Sequence, residues 1–334
     1  MKRSIVAAWV LIAVVFGLGL LGLAGRVGLT EEKEKIQVPD PGVSDSAVTI
    51  RAKIDGTAQE MDLDTYLQGV LRAEMPASFE LEALKAQAVA ARTETLYKVE
   101  NGPSANHPDA DICNDINCCQ AFKTADAADE AWGADSEYYA AKIATAVRET
   151  DGMVILYEDK PILAAFFSSA SGQTNQSGDV WINNLPYLQS VESPEGENEV
   201  PNYYSVATFS EAEFKEIFLK AYPEAKLDGK AENWFGAETR NDSDMVLTIV
   251  IGGVEVKGTQ VRSLFSLRSA AFTVSAEDGN IVFHVTGYGH GVGMSQYGAN
   301  VLASEGKDYQ EILHWYYTDV TIGSYTPKNL ATEE

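Results

Sequence analysis

Basic residues are scarce in this 334-residue chain: 25 lysines and arginines stand against 49 aspartates and glutamates, for a formal net charge of −24. A surface so acidic repels phosphate backbones, which excludes nucleic acid as a natural partner. Cysteine is nearly missing. Only Cys113, Cys118 and Cys119 occur, all within seven residues, so no disulfide framework holds the chain together. A clustered, odd set leaves a local bridge, a metal site, or the two in competition. No cysteine closely follows the N-terminal apolar run, which excludes a lipoprotein, and no C-x-x-C pair supports thiol redox chemistry. There is no internal repeat. No G-x-S-x-G nucleophile elbow is present, and the alternating glycines at 287–293 do not form a G-x-G-x-x-G fingerprint, so a serine hydrolase and a dinucleotide site are both disfavoured.

What the chain does have begins at its start. After the basic Lys2 and Arg3, Ile5 to Gly25 carries no charge and meets the length of about 20 residues that crosses a bilayer core. This reads as an uncleaved single-pass anchor. Residues 1–4 stay in the cytoplasm by the positive-inside rule, which Arg26 weakens, and the rest lies outside. Residues 26–46 read as a polar stalk with Pro39, Pro41 and Gly42. One domain is expected over 47–325, with a sub-domain over 195–275, and residues 326–334 form a tail.

Periodicity and capping residues predict the elements. A strand runs from Ala47 to Ile54 into an Asp55-Gly56 turn, and Asp62 caps a helix from Leu63 to Glu74 that Pro76 must end. Ser78 is expected to cap a second, alanine-rich helix reaching Val99. A helix over 136–150, strands over 153–157 and 162–167, a capped helix over 210–221 and a hairpin over 245–256 follow. Strands over 271–274 and 281–286, and helices over 296–304 and 309–317, complete the reading. The fold class is α+β: mixed helices and antiparallel hairpins forming a groove, preceded by one transmembrane helix.

Glu74 is the residue with the most distinctive setting. It sits at a helix C-terminus, where partial negative charge disfavours a carboxylate, between Ala73 and Met75. Burial there would raise its pKa further, as a general acid requires, unless the head of Arg72 came close. Lys85 and Arg92 are seven residues apart and share one face of the second helix, where they read as orienting Glu74 or binding sugar hydroxyls, or as a solvated stripe. His107, Cys113 and Cys119 have five residues between each pair, a spacing of no standard zinc finger. A disulfide from Cys113 to Cys118 or Cys119 is the alternative.

Three segments resemble one family when taken together. They are Tyr66–Pro76 with its Arg72-Ala73-Glu74-Met75-Pro76 ending, joined to Glu80–Thr93; Leu185-Pro186-Tyr187-Leu188-Gln189-Ser190-Val191; and Gly287-Tyr288-Gly289-His290-Gly291-Val292-Gly293-Met294-Ser295-Gln296-Tyr297-Gly298-Ala299. This pattern is similar to the SpoIID family and covers nearly the whole chain after the stalk. The resemblance implies a lytic transglycosylase that cuts peptidoglycan glycan strands between N-acetylmuramic acid and N-acetylglucosamine, leaving 1,6-anhydro ends during engulfment in sporulation. Glu74 would be the acid and then the base, because the sugar's own 6-hydroxyl replaces water as attacker. The expected partners are the stage II sporulation proteins P, an amidase, and M. Parts of the family resemble amidase enhancers, so a non-catalytic glycan-binding protein is the alternative.

The resemblance also implies zinc near the active site on His107, Cys113 and Cys119. Cys118 stands where the family usually has histidine, which leaves the ligand choice open. Phe167–Thr174 resembles a family segment with two glycines, of which Gln173 replaces the second; Ser169 and Gly172 are read there as glycan contacts or as parts of a capped turn. Tyr187, Trp181 and Tyr288 are candidates for stacking on sugar rings or for core packing. His290 is read as structural first and as lining the cleft second.

Overall fold

A computed structural model describes residues 44–325. The expected anchor at 5–25, residues 1–4, nearly all of the stalk and the tail at 326–334 lie outside the described residues. Among the described residues, no helix is long and apolar enough to cross a membrane.

A hairpin opens the fold: β1 (Thr49–Ile54) turns at Asp55-Gly56 into β2 (Thr57–Asp62). Asp62 then caps α1 (Leu63–Glu74) by accepting from the Thr65 amide, and Met75 ahead of Pro76 is extended, which ends the helix. Helix α2 (Leu81–Asn101) follows. Its N-cap is Glu80, with no side-chain capping bond, so the expected Ser78 cap is corrected. Strand β3 (Ile112–Cys113) pairs parallel to β1, placing Cys113 opposite Lys53. Helices α3 (Ala125–Trp132) and α4 (Ser136–Arg148) lead into β4 (Met153–Tyr157), β5 (Lys160–Pro161) and β6 (Phe166–Phe167). The strand expected over 162–167 is therefore mostly irregular chain.

A short helix, α5 (Ser177–Val180), precedes a separate group of elements: β7 (Tyr204–Ser210), α6 (Glu211–Ala221), β8 (Phe235–Arg240), β9 (Val246–Ile251), β10 (Val254–Lys257), α7 (Gly258–Leu264), β11 (Phe272–Glu277) and β12 (Asn280–Thr286). They form two antiparallel sheets, ordered β10-β9-β8 and β11-β12-β7. The chain returns through β13 (Met294–Ser295), α8 (Gln296–Ser304), α9 (Tyr309–Tyr316) and β14 (Thr321–Ser324). Strand β14 pairs with β4, and β13 pairs parallel to β6. The architecture is α+β, and among the described residues β1–β3 and β6–β13 pair parallel while the other strand pairings are antiparallel.

Two apolar cores result. The larger gathers α1, α2, α4, α8, α9 and β4. The smaller is aromatic, built on Phe214, Phe218, Trp234, Phe265 and Phe283, and its buried members run from Phe214 to Val285. Helix α2 is enclosed by α1, α4, α8, α9 and β4. Its alanines at 83, 86, 88, 90 and 91 are all fully buried, because small side chains let neighbours approach on every side.

Arg92 lies inside this packing at 0% exposure. Its guanidinium holds Asp45 through Nε at 2.8 and 2.9 Å and through Nη2 at 2.5 Å, and also donates to the Met153 carbonyl. Burial raises the Asp45 pKa, and the Arg92 charge opposes that rise. Arg92 is thus a structural cation, which corrects its expected contact with sugar. Asp45, assigned by composition to the stalk, belongs to the folded body.

Breaking such a pair by removing one partner leaves an uncompensated buried charge, at a cost of about 3–5 kcal/mol. Asp45→Ala should lower the urea unfolding midpoint accordingly, and a chain trimmed to begin at Ala47 should show the same loss. An unchanged midpoint in both would refute this role.

Candidate active site

Glu74 stands at the last turn of α1, where the helix must stop before Pro76. Its Oε1 accepts from the Ala121 amide at 2.7 Å, and its Oε2 accepts from Gln296 Nε2 at 3.3 Å. Burial raises its pKa, and those two hydrogen bonds only partly offset the rise. Arg72 donates to Gln68 Oε1 at 3.1 Å, one turn back, and no cation contributes to the Glu74 shift. This carboxyl is biased toward its protonated form.

Both donors reach Glu74 for traceable reasons. Gln296 is the first residue of α8, whose cap Ser295 accepts from the Gly298 amide. Ala121 is held because Phe122 lies where any side chain on Gly69 would be, so α1 must carry glycine there. Phe122 stacks on Tyr66 with ring centroids 5.8 Å apart, and the Lys123 amide donates to the Gly69 carbonyl at 3.0 Å. On the far side, Gly293 has φ of +76° and lies against the Ala165 carbonyl, which joins β13 to β6 and leads into α8.

Glu74 lines a cavity of about 700 Å³ together with Trp181, Tyr288, His290 and Gln296. His290 sits between Trp181 and Phe167, at ring centroid distances of 5.4 and 5.6 Å, and its Nδ1 accepts from the Val292 amide. Burial lowers its pKa to about 4, helped by the Arg262 charge. The ring is therefore neutral near pH 7.

Sequence reasoning missed Glu94 and Lys98, which line the same cavity from α2. They form an i,i+4 pair at 3.4 Å, and burial raises the Glu94 pKa to about 7 against the Lys98 charge. The four-residue spacing was the available signal, but it is the ordinary spacing of helix surface pairs.

The other expected substrate contacts lie elsewhere. Lys85 is held at 2.7 Å by both Glu82 and Glu149, outside the cavity lining. Tyr187 is buried in the larger core, and its hydroxyl accepts from the Leu163 amide, which corrects its expected stacking role. Ser169 is buried and bridges Tyr288 through both backbone groups, lining a small recess behind His290. Gly172 opens onto a second cavity of about 480 Å³ beside Trp315.

Next to the main cavity, the loop after α2 brings one ligand atom each from His107, Cys113, Cys118 and Cys119 within 4.8 Å of one another. All three cysteines are free thiols, so the local bridge is not formed. His107 Nδ1 lies 2.9 Å from the Ala110 carbonyl, which fixes the ring and leaves Nε2 to face Cys119 Sγ at 3.3 Å. A carbonyl behind an imidazole and convergent thiols make a donor set that fits a thiophilic cation such as zinc.

Residues 53–157 match the family described as SpoIID, Stage II sporulation protein. The chain is 35% identical over 307 residues to a Stage II sporulation protein D of Bacillus subtilis (strain 168), covering 89% of this chain and 87% of that one. It is 36% identical over 287 residues to the protein of that name from Bacillus amyloliquefaciens, covering 85% and 81%. A Bacillus subtilis (strain 168) protein named Amidase enhancer is 27% identical over 311 residues, covering 78% of this chain and 40% of its own length.

The half-buried, neutral His290 carries a pH signature. Its folded pKa lies below the unfolded value of 6.5, so its contribution to stability is complete above pH 6.5 and is lost as pH falls toward 4. Unfolding free energy measured across that window should fall less steeply for His290→Phe than for wild type. Equal slopes would show that the imidazole is not held neutral.

Proposed function

The chain belongs to the SpoIID family, and from that premise we propose that it is a peptidoglycan lytic transglycosylase in which Glu74 is both acid and base. The observation that carries this reading is the Glu74 carboxyl itself: half-buried, raised in pKa by desolvation with no cation offsetting the rise, and set on the wall of a cavity of about 700 Å³. The bond to be cut joins N-acetylmuramic acid to N-acetylglucosamine.

The steps follow from the hydrogen bonds. Ala121 holds Oε1 with the shorter bond, so Oε2 is the oxygen that carries the proton. Oε2 gives that proton to the glycosidic oxygen as the C1–O bond breaks, and the N-acetylglucosamine hydroxyl departs. The carboxylate left behind accepts two hydrogen bonds and takes the proton of the muramic acid 6-hydroxyl. O6 then bonds to C1, giving the 1,6-anhydro end and restoring protonated Glu74. No water is consumed, so one carboxyl suffices. His290, neutral, offers ring contact and no charge in this cavity.

Zinc on His107, Cys113 and Cys119 belongs to the same reading; when bound, it would tie the loop before Gln120 and Ala121 into one geometry. We further propose that Ile5 to Gly25 anchors the chain in the membrane with its catalytic body outside the cytoplasm, acting in engulfment beside the stage II sporulation proteins P and M. The relative named Amidase enhancer supports a second reading, in which the chain binds glycan and stimulates an amidase.

Digestion of peptide-stripped glycan strands, with mass spectrometry of the products, decides between them. Wild type should release anhydro-ended fragments, and Glu74→Gln should be slower by about 10²–10⁴-fold. Reducing ends would instead identify a hydrolase, with Glu94 as its second carboxylate. No cleavage by wild type, with stimulation of an amidase, would establish the enhancer reading. Gln296→Leu removes a bond that lowers the Glu74 pKa, so the alkaline limb of the pH–rate profile should move to higher pH.

A further inference from the structure

Most titratable side chains around the main cavity already have an answer to their charge. Glu74 is biased toward its neutral acid, His290 is neutral, and Glu94 pairs with Lys98 at 3.4 Å. Arg262, half-buried in the same lining, is different. Its Nε donates to the Leu267 carbonyl at 3.3 Å, and among the described residues no carboxylate pairs with its guanidinium. Burial lowers its pKa, Tyr288 opposes that, and no aspartate or glutamate takes part. An arginine stays charged all the same.

A second cation stands against the same wall. The Arg268 guanidinium carbon lies 4.0 Å from the ring centroid of Tyr288, which lines the cavity, and Arg268 also lacks a carboxylate partner among the described residues. Both arginines come from the aromatic module, Arg262 on α7 and Arg268 just after it. In a chain of net charge −24, this is a local positive spot facing the acid's cavity. A desolvated, unpaired guanidinium is set to gain from an incoming anion, and its planar fork matches a carboxylate.

The glycan offers one such group. Both sugars are neutral apart from the lactyl ether on C3 of muramic acid, which ends in a carboxyl. That ether sits on the sugar whose C1 is attacked in the reaction above. With a stem peptide attached, the carboxyl is an amide, which is uncharged and turns an N–H toward donors. Without the peptide it is a free carboxylate.

We propose that Arg262 binds the lactyl carboxylate of N-acetylmuramic acid, making that charge part of what the site recognises. The inference rests on the transglycosylase reading and adds a specificity residue to it. Arg262 would touch substrate away from the breaking bond, so its loss should weaken binding more than turnover.

The test compares stripped strands with the same strands after their lactyl carboxylates have been converted to methylamides. Wild type should cut the stripped strands with a kcat/KM about 10–100-fold higher. Arg262→Met should cut both at the amidated rate, with the loss mainly in KM, and Arg262→Lys should restore part of the preference. A purely structural Arg262 would slow both substrates alike and keep their ratio. That result overturns the proposal, as does a wild type that treats the two alike. Strands still carrying stem peptides separate the sources of the charge. If wild type favours those and Arg262→Met does not, the guanidinium reads a peptide carboxylate and the lactyl assignment is overturned. Calorimetric binding of stripped and amidated strands to Glu74→Gln, with and without Arg262→Met, reads the same preference without turnover. A chain that cuts nothing yet binds stripped strands more tightly through Arg262 would sink the transglycosylase reading and leave this one standing; equal binding would overturn it.

Discussion

Helix α2 is buried around most of its circumference, so the polar groups on its buried faces draw partners from inside the protein. That requirement organises the fold. Arg92 demands a carboxylate, and Asp45 comes from ahead of β1 to supply it. Thr93 accepts from the Ile155 amide and so registers β4 against the helix. Thr95 receives Gln120 Nε2 at 3.0 Å, and Gln87 receives Gln296 Nε2 at 3.5 Å. Lys98 reaches out to the Cys118 carbonyl. Each of these contacts brings a distant part of the chain to the helix.

Those same contacts assemble the site. Gln120 precedes Ala121, whose amide holds Glu74, and Gln296 holds the other carboxylate oxygen directly. Glu74 itself contributes little to its own placement beyond ending α1. Its raised pKa follows from enclosure by groups that α2 has already fixed. The cavity wall, the metal loop and the acid are consequences of one packing solution, which is why residues on one helix face meet such different fates. Lys85, a turn from the helix start, ends in a surface ion pair, and Arg92 ends in the core.

Much of this was legible in the sequence, and the parts that were not share a cause. Helix α1, its Asp62 cap and its stop at Pro76 follow from local chemistry, as do the cap of α6, where Ser210 and Glu213 bond reciprocally, and the β9–β10 hairpin, whose turn at Gly252 and Gly253 has positive φ. Glu74 could be singled out because a helix end before proline already disfavours ionisation. Arg92 could not be assigned, because an arginine on an alanine-rich face looks the same whether its partner is a sugar or an aspartate 47 residues earlier. The role of Cys118 stayed open, because spacing along the chain does not show that a turn at Asp115 brings two adjacent thiols together. Strand β7 and helix α3 escaped notice because little of either is deeply buried: β7 has no fully buried residue, and Ala128 is the buried residue of α3.

The aromatic core spanning Phe214 to Val285 leaves the larger body and rejoins it almost where it left. The Gly287 amide donates to the Tyr203 carbonyl at 2.9 Å, and Ser169 bridges Tyr288 beside that junction. An excursion whose ends are pinned together closes its own loop, so its length and content are nearly independent of the body that carries it. Yet it sends one cation, Arg262 on α7, to the wall of the main cavity. Such a module is free to diverge in evolution faster than the helices beneath it. The acid would stay in place while the chemistry facing the far end of the cavity is rewritten.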